Sequence, residues 1–503
     1  MASHAKATPP SFYIRVAAVC LAVLVAVIAL AVFLWPERPS DPQGPSSVGG
    51  AAGTTGTTSV TTTTTTVTDP TTTSTEQSTT APTTVTTTTT TTKKPTATTG
   101  TTTTKKPTTV TTTTTTKPND PPIDAPANEM RGTWVSYIEL NGLLKDKSEK
   151  DAKKVIDGIM DNCVAYGLNT VFWHARANSD AYYRSDIFNE DASVKALVEG
   201  GFDPLEYAVQ QAHARGLELH AWVNPYRVGR NAANLVEGIP FFVDDTDTYP
   251  IYYYVPSSEK AQQLIVDGVK ELLAYGVDGV HFDDYFYPAA AVITQTATAF
   301  EKADYDAYKG AGGTKSVQDW RRMHVSALVK QVYETAHEKG KIFGIAPSSK
   351  VSNAREKQYA DLAMWLSNAG YVDYLCPQIY YGFEHGSRPF DLVFDEWNSL
   401  ERHSSVRLYV GLAVYKVGIY PDPYAGTSGG DWADDEDVLY DQLRMCRQKG
   451  WDGVILYSYT YLDPNAYRKT ETVSFNGSSV EQTYNKTMAA AALRKLLEEL
   501  KNG

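Results

Sequence analysis

One unit recurs from Glu129 to the end of this chain: an amphipathic helix, a residue pair that ends in glycine, and a short apolar run. Glycine tolerates the left-handed conformation that closes a helix C-terminus, so each pair marks the end of a helix. Six such pairs occur: Tyr166-Gly167, Arg215-Gly216, Tyr275-Gly276, Lys339-Gly340, Ala369-Gly370 and Lys449-Gly450. Apolar runs that alternate with helices predict a parallel sheet covered by helices.

The apolar runs are predicted to form eight strands. They are Arg131–Tyr137, Thr170–His174, Leu217–Val223, Gly279–Phe282, Ile342–Ala346, Val372–Pro377, Leu408–Leu412 and Val454–Tyr457. Helices fill the intervals, and a last helix is predicted over Tyr484–Leu500. Eight units close a (β/α)8 barrel, or TIM barrel, so residues 128–503 are predicted to be an α/β domain of this type. An open doubly wound sheet is the alternative, but no glycine-rich phosphate loop follows the first strand.

The predicted connections differ in length in a systematic way. Those from helix to strand are a few residues, whereas several from strand to helix are long, namely Asn224–Pro256, Tyr285–Asp319 and Tyr415–Asp434. In a (β/α)8 barrel the strand-to-helix loops form the C-terminal face, where active sites are built. The distribution of loop lengths therefore indicates an enzyme.

The first quarter of the chain has a different composition. Val16 to Trp35 form an apolar run that matches the roughly 20 helical residues needed to cross a bilayer. No small-residue cleavage site follows it cleanly, and basic residues precede it, so we predict an uncleaved transmembrane signal anchor at 16–35 with residues 1–15 in the cytoplasm. Residues 36–127 are rich in Thr and Pro and predict a disordered stalk. The domain at 128–503 would then lie outside the cell membrane, extracellular or in the cell-wall space.

Charge and cysteine content exclude several classes of protein. The net charge is −12 and the stalk contributes lysines, so the folded part is acidic and nucleic acid is disfavoured as a partner. Besides Cys20 in the apolar run, Cys163, Cys376 and Cys446 lie in apolar contexts and are predicted to be buried thiols. No CxxC or HExxH spacing occurs, so no metal and no cofactor are predicted. No obligate protein partner is predicted either.

The fourth predicted strand ends in two adjacent carboxyl groups surrounded by aromatic residues. Period-2 alternation puts His281 and Asp283 on one face of that strand, and Phe282 and Asp284 on the other. An Asp pair can also serve only to begin a turn. The residues at the other strand ends must therefore decide between a turn and a catalytic site.

Polar and aromatic residues follow six of the predicted strands, all on one face of the barrel. Aromatic rings stack on the flat face of a sugar, and polar side chains bond its hydroxyl groups. The combination favours a polysaccharide or oligosaccharide as the substrate. The predicted substrate-binding residues are His174, Arg176, Asn178, Asp180, Tyr183, Trp222, Asn224, Tyr226, His281, Tyr285, Gln378, Tyr380, Tyr381 and Tyr457.

Glycoside cleavage commonly uses one protonated and one ionised carboxyl group. Asp283 is predicted to be the ionised group, oriented by His281 on the same strand face. Glu384, after the sixth strand, is predicted to be the acid, held protonated by the aromatic side chains around it. The other candidate carboxyl groups are Asp284 in a supporting role, and Asp180 and Glu139 as substitutes for the acid.

Six motifs occur in one order between residues 129 and 415. They are Arg131-Gly132-Thr133-Trp134, Asp203-Pro204-Leu205 with Ala212-His213, His220-Ala221-Trp222-Val223-Asn224-Pro225-Tyr226, the run from Asp278 to Pro288, Trp320-Arg321-Arg322 and Pro377-Gln378-Ile379-Tyr380. Together they resemble the bacterial glycosyl hydrolase-like 10 family. The resemblance implies a TIM-barrel hydrolase of the bacterial envelope, and some relatives act on peptidoglycan strands that lack stem peptides. Val255-Pro256-Ser257 departs from the Asn-Pro-Gly of relatives, and Glu384 lies outside the motifs.

Two functions fit these observations. The first is a membrane-tethered glycoside hydrolase that acts on a cell-wall or other extracellular glycan. The alternative is a non-catalytic glycan-binding or adhesion module that kept the aromatic residues and lost the acid. Another enzyme class on the same barrel, such as a deacetylase, is disfavoured because the spacing of metal ligands is missing.

Overall fold

The computed structural model describes residues 124–245, 249–288, 296–466, 472–475 and 478–502. Eight parallel strands form a closed barrel in which each strand pairs with the next along the chain and the eighth pairs with the first. The strands are β1 (Met130–Val135), β2 (Thr170–Arg176), β3 (Glu218–Val223), β4 (Gly279–Phe282), β5 (Ile342–Ile345), β6 (Tyr374–Leu375), β7 (Arg407–Leu412) and β8 (Gly453–Leu456). The predicted TIM barrel is confirmed.

Helices alternate with these strands along the sequence. They are α1 (Tyr137–Leu144), α2 (Glu149–Ala165), α3 (Lys195–Glu199), α4 (Pro204–Ala214), α5 (Glu259–Ala274), α6 (Lys302–Gly310), α7 (Val317–His337), α8 (Val351–Asn353), α9 (Leu362–Ser367), α10 (Phe390–Asn398), α11 (Val438–Gln448) and α12 (Lys486–Asn502). Single helical turns lie at Ala232–Asn234, Ala354–Gln358, Val414–Lys416, Pro423–Ser428 and Tyr459–Tyr461.

Local sequence signals explain where helices begin and end. The Asp203 carboxylate accepts hydrogen bonds from the backbone N–H groups of Leu205 and Glu206, and Pro204 occupies the first turn of α4. The glycines of the six predicted helix-ending pairs all adopt left-handed φ angles, from 67° at Gly340 to 92° at Gly370. The helix ends predicted from these glycine pairs are therefore confirmed.

The long strand-to-helix loops carry structure of their own. The connection from β3 to α5 contains a three-stranded antiparallel sheet formed by Arg227–Gly229, Phe241–Asp244 and Ile251–Tyr254. Strand pairs outside the barrel also join Asp180–Ala181 to Asn189–Glu190, Ile419–Tyr420 to Thr483–Tyr484, and Thr472–Phe475 to Ser478–Glu481. The last helix begins at Lys486 rather than at Tyr484, because Tyr484 is held in one of these pairs.

The predicted membrane anchor and most of the predicted stalk lie in a part of the chain that the structure does not describe. Residues 1–15, the anchor at 16–35 and all but the last four residues of the stalk at 36–127 lie outside the described residues. Within the described ranges, no helix has both the length and the hydropathy needed to span a membrane. Cys163, Cys376 and Cys446 are buried free thiols, as predicted.

Large rings and glycines complement one another inside the barrel. Trp134, Phe172, Trp222 and His281 pack there with centroids from 4.7 Å (Phe172 to His281) to 6.4 Å (Trp134 to Trp222) apart. Strand glycines leave the necessary space. A Cβ atom on Gly344 would lie 2.1 Å from Cζ of the Tyr374 ring on the neighbouring strand. Close packing of this kind tolerates no added volume.

Gly344→Ala should therefore destabilise the barrel. Overpacking costs about 1–3 kcal/mol, and the closed ring of strands restricts relief by movement. Gly158→Ala is the matched control, because a Cβ atom there meets nothing within 4 Å. Alanine at that helical position should stabilise the protein by about 0.5–1 kcal/mol. Urea unfolding measures the free energy of unfolding of the two variants. Equal effects would contradict the close packing around Gly344.

Candidate active site

Asp283 and Asp284 emerge from β4 at the C-terminal face of the barrel. The strand ends at Phe282, so both side chains belong to the loop that follows. Asp283 is only 4% exposed, whereas Asp284 is half-buried. The two neighbouring carboxyl groups thus occupy different environments.

The Asp283 carboxyl group accepts two hydrogen bonds and is almost fully shielded from solvent. Trp222 Nε1 donates to Asp283 Oδ2 at 3.3 Å, and the backbone N–H of Tyr285 donates to Oδ1 at 3.2 Å. Burial raises the pKa of Asp283 well above its usual range, and the negative charge of Asp284 raises it further. The two hydrogen bonds and the charge of Arg227 oppose this rise. We predicted an ionised Asp283, but its surroundings favour the protonated form.

Asp284 has a better environment for a negative charge. Gln358 Nε2 donates to Asp284 Oδ2 at 2.9 Å, and Ser348 Oγ donates to Gln358 Oε1 at 3.1 Å, which fixes the amide orientation. Burial raises the pKa of Asp284 also, while Gln358 and Arg227 lower it. Because adjacent carboxyl groups titrate together, the pair retains a proton to higher pH than an isolated Asp, and that proton resides preferentially on Asp283.

His281 has partners other than the predicted Asp283. Trp134 Nε1 donates to His281 Nε2 at 3.0 Å, so the proton of the neutral ring is on Nδ1, which donates to the Tyr374 hydroxyl at 2.9 Å. Complete burial lowers the pKa of His281 well below its usual value. The strand ends at Phe282, so strand alternation does not extend to Asp283. The predicted contacts of His281 with Asp283 and with substrate are therefore replaced by bonds inside the barrel.

His174 and Asn224 lie behind Trp222 instead of facing a ligand. The rings of His174 and Trp222 stack with centroids 3.7 Å apart and planes 17° apart. The backbone N–H of Tyr137 donates to His174 Nδ1, so Nε2 carries the proton and donates to Asn224 Oδ1 at 3.2 Å. Both residues are buried and orient the indole that contacts Asp283. They position the site although they do not reach its surface.

Three other predicted binding residues also lie in the interior. Arg176 is buried and donates to the carbonyl oxygen of Pro225. Tyr183 is fully buried, and its hydroxyl donates to Glu271 Oε2 on α5 at 2.8 Å. Tyr226 is fully buried within the main hydrophobic core. The chain bends after each strand, so position in the sequence did not reveal which way these side chains turn.

The remaining predicted binding residues lie at or near the mouth of the barrel. Tyr380 and Tyr457 form an aromatic cluster with Tyr415, with centroid distances from 5.6 to 6.0 Å. Tyr415 was not predicted, although it follows β7 by the same rule as the others. Half-buried side chains among the predicted set are Asn178, Tyr285, Gln378 and Tyr457, while Tyr380 and Tyr381 are 9% and 8% exposed.

The predicted acid, Glu384, and its two possible substitutes, Glu139 and Asp180, differ in their surroundings. Glu384 is exposed, and its backbone N–H donates to Asp431 Oδ2 at 3.4 Å, so it lacks the aromatic enclosure that we predicted. Glu139 accepts hydrogen bonds from the backbone N–H of Ser136, the hydroxyl of Ser458 and the backbone N–H of Thr460. These bonds give Glu139 a structural role between the ends of β1 and β8.

Asp180 is more enclosed than either of these glutamates. Its carboxyl accepts from the backbone N–H of Asn178 at 3.0 Å and from Asn234 Nδ2 at 3.2 Å. Burial raises the pKa of Asp180 to about 6. Gln358 and Arg227 are the other site residues that our prediction omitted. Gln358 gives no signal in the sequence, whereas Arg227 directly follows a motif after β3.

Two glycosyl hydrolases are similar in sequence to this chain. YngK, a glycosyl hydrolase of Bacillus subtilis (strain 168), is 31% identical over 351 residues, which cover 64% of this chain and 66% of YngK, slightly less than two thirds of its length. DigH, a glycosyl hydrolase of Escherichia coli (strain K12), is 29% identical over 336 residues, which cover 58% of this chain and 74% of DigH.

Similarity to solved structures is more distant. The glycoside hydrolase domain of PgaB (BpsB) from Bordetella bronchiseptica matches 68% of this chain and 96% of that domain, with 12% identity and a TM-score of 0.46. This likeness is too remote to assign a shared activity. The family model described as Glycosyl hydrolase-like 10, in contrast, matches residues 129–425, which is more than half of the chain. This protein therefore belongs to the glycosyl hydrolase-like 10 family.

Proposed function

We propose that this protein is a glycoside hydrolase in which Asp283 donates a proton and Asp284 acts as the ionised carboxylate. The observation that carries the proposal is the unequal environment of two adjacent carboxyl groups at the C-terminal face. Asp283 is buried against Trp222, whereas Asp284 is half-buried and accepts a hydrogen bond from Gln358. Pairs of carboxyl groups with separated proton affinities are the usual basis of glycoside cleavage.

The proposed reaction uses the two groups in sequence. Asp283 protonates the leaving oxygen as the glycosidic bond breaks, which removes the cost of expelling an alkoxide. Positive charge then develops on the sugar ring, and the carboxylate of Asp284 stabilises it. Water then forms the new bond to the sugar carbon, and the proton that it releases returns to Asp283, which restores the starting state. The rings of Tyr380, Tyr415 and Tyr457 offer the apolar surface on which a sugar stacks.

We further propose a location and a substrate class. The apolar run from Val16 to Trp35 and the Thr-rich stalk support a single-pass protein of the cell membrane, with the barrel outside. A cell-wall or other extracellular glycan would then be the accessible polymer. The resemblance to the family makes peptide-free peptidoglycan strands the first candidate.

A glycan-binding module without catalysis is the second candidate. The observation in its favour is that Glu384, which we predicted to be the acid, is exposed. Asp283 and Asp284 also come from the end of one strand, whereas glycoside cleavage commonly uses two carboxyl groups that flank the bond. Binding of a broad glycan panel without the release of new reducing ends would support this second function.

The roles of the carboxyl groups are tested by substitution. Asp283→Asn should lower kcat by about 10²–10⁴-fold, because a positioned general acid contributes roughly that factor. Asp284→Asn should also abolish most activity, whereas Glu384→Gln should change it by less than about tenfold. New reducing ends from peptide-free peptidoglycan strands measure the rate. Full activity of Asp283→Asn, or loss only in Glu384→Gln, would refute the assignment.

The pH dependence has a defined sign. The active pair needs one proton, so activity should fall as pH rises through the pKa of Asp283, which burial raises. It should also fall at low pH, when Asp284 takes up a proton. In Asp283→Asn the residual activity should lose the decline at high pH. A wild-type profile that stays flat from acid to alkaline pH would contradict the proposed proton donor.

The same carboxyl group should make the protein less stable. A carboxyl group with a raised folded-state pKa destabilises the fold increasingly as pH rises from the unfolded value of about 3.9 to the folded-state pKa, and the effect is absent below the unfolded value. Asp283→Asn should therefore raise Tm by about 1–3 °C at neutral pH and by less near pH 4. Asp306→Asn, at an exposed ion pair on α6, is the control and should change Tm little. An equal gain at both pH values would contradict the raised pKa.

A further inference from the structure

Arg227 presents unused hydrogen-bond donors beside the two acids. Its guanidinium lies over the ring of Tyr285, with 4.8 Å between the guanidinium carbon and the ring centroid. Its Nε atom is buried and has no hydrogen-bond partner in the part of the chain that the structure describes. Within those residues the group also forms no ion pair with Asp283 or Asp284. Burial of an unpaired donor is costly, so this arrangement calls for an acceptor from elsewhere.

Two buried arginines of this protein are differently placed, whereas a third, Arg176, also has a buried nitrogen, Nη1, without a hydrogen-bond partner among the described residues. Arg321 pairs with Glu301 and donates to the hydroxyl of Tyr359 at 2.6 Å. Arg447 pairs with Glu129 at 2.8 Å and also with Glu499. Those two guanidinium groups hold the fold together through carboxylates of the chain itself. Arg227 lacks such a carboxylate partner in the described residues.

The backbone fixes where this guanidinium can reach. Arg227 begins the first strand of the antiparallel sheet in the β3 to α5 connection and pairs there with Tyr253. Its positive charge lowers the pKa of both Asp283 and Asp284, so it lies near both groups. Tyr285, which it covers, is the residue after Asp284. A rigid, half-buried cation thus borders the place where the glycosidic bond would be cleaved.

We infer that Arg227 binds a carboxylate on the substrate, so that the preferred substrate is an acidic glycan. A guanidinium offers five N–H donors in a planar fork that matches the two oxygens of a carboxylate. A neutral hydroxyl group would be the weaker acceptor, because hydrogen bonds between ionised partners are roughly twice as strong as those between neutral ones. The inference rests on the proposed function, because it places the charged sugar next to the cleaved bond.

Two kinds of glycan carry such a group. One is a peptide-free peptidoglycan strand, in which the lactyl ether of the muramic acid residue ends in a free carboxylate. In intact peptidoglycan that carboxyl group is consumed in the amide bond to the stem peptide, so a requirement for it would select stripped strands. The other is a polysaccharide that contains uronic acid. Both present the same chemistry to Arg227.

Binding to an inactive background tests the inference without requiring cleavage. The full chain with Asp283→Asn would be titrated calorimetrically with each glycan, in native form and after reduction of its carboxyl groups to alcohols. For at least one glycan, the native form should bind about tenfold or more tightly than the reduced form. That glycan identifies the source of the carboxylate.

Substitutions of arginine then test whether Arg227 causes the difference in affinity between the native and the reduced glycan. Adding Arg227→Gln should weaken binding of the native glycan to the level of the reduced one and leave the reduced one unchanged. Arg227→Lys keeps the charge but loses the fork, and should retain part of the preference. Arg230→Gln, at an exposed arginine three residues later, should retain all of it.

The results that would contradict the carboxylate inference differ from those that would contradict hydrolysis. Equal affinity for native and reduced forms of both glycans, or no binding of either, would overturn the inference. Equal weakening of both forms by Arg227→Gln would also overturn it, because Arg227 would then act only on the protein. If the carboxylate preference appears but the wild-type protein releases no reducing ends, hydrolysis is refuted and acidic-glycan recognition stands. Cleavage without any carboxylate preference would refute the inference alone.

Discussion

The hydrogen bond from Trp134 to His281 ties together the interior on which this barrel depends. It continues through the hydroxyl of Tyr374, which accepts from His281 and donates to Nδ1 of His220 at 3.2 Å. Four strands are thereby joined across the barrel axis. Because each ring nitrogen of His281 has one defined partner, its tautomer is fixed, and the core gains directional contacts that aliphatic packing lacks.

Trp222 connects this interior to Asp283. One face of its indole stacks on His174, and its Nε1 donates to Asp283. Asp283 therefore lies against aromatic rings and is almost fully buried, and a negative charge there is poorly stabilised. The half-buried Asp284 has the amide of Gln358 instead. The different roles that we propose for the two adjacent carboxyl groups follow from these different neighbours.

Much of the fold and part of the site could be predicted from the sequence. The strands and the glycine-ended helices depend on neighbours in the chain, so periodicity reveals them, and β4 was placed at its observed bounds. Side-chain partners depend on residues far apart: Trp134 and His281 are 147 positions from each other. For that reason the partner of His281, the inward turn of Tyr226 and the contribution of Gln358 were beyond the reach of local patterns.

The antiparallel sheet inserted after β3 carries the residue that we propose to bind the substrate carboxylate, whereas the barrel carries the two residues that we propose to cleave the glycosidic bond. Arg227 is fixed by pairing with Tyr253 inside that insertion, whereas Asp283 and Asp284 are fixed by the barrel strand β4. A change in length or sequence of the insertion would thus move the cation while the proton chemistry stayed in place. On the proposed function, exchange of this single segment is the most economical way to change which glycan the protein selects.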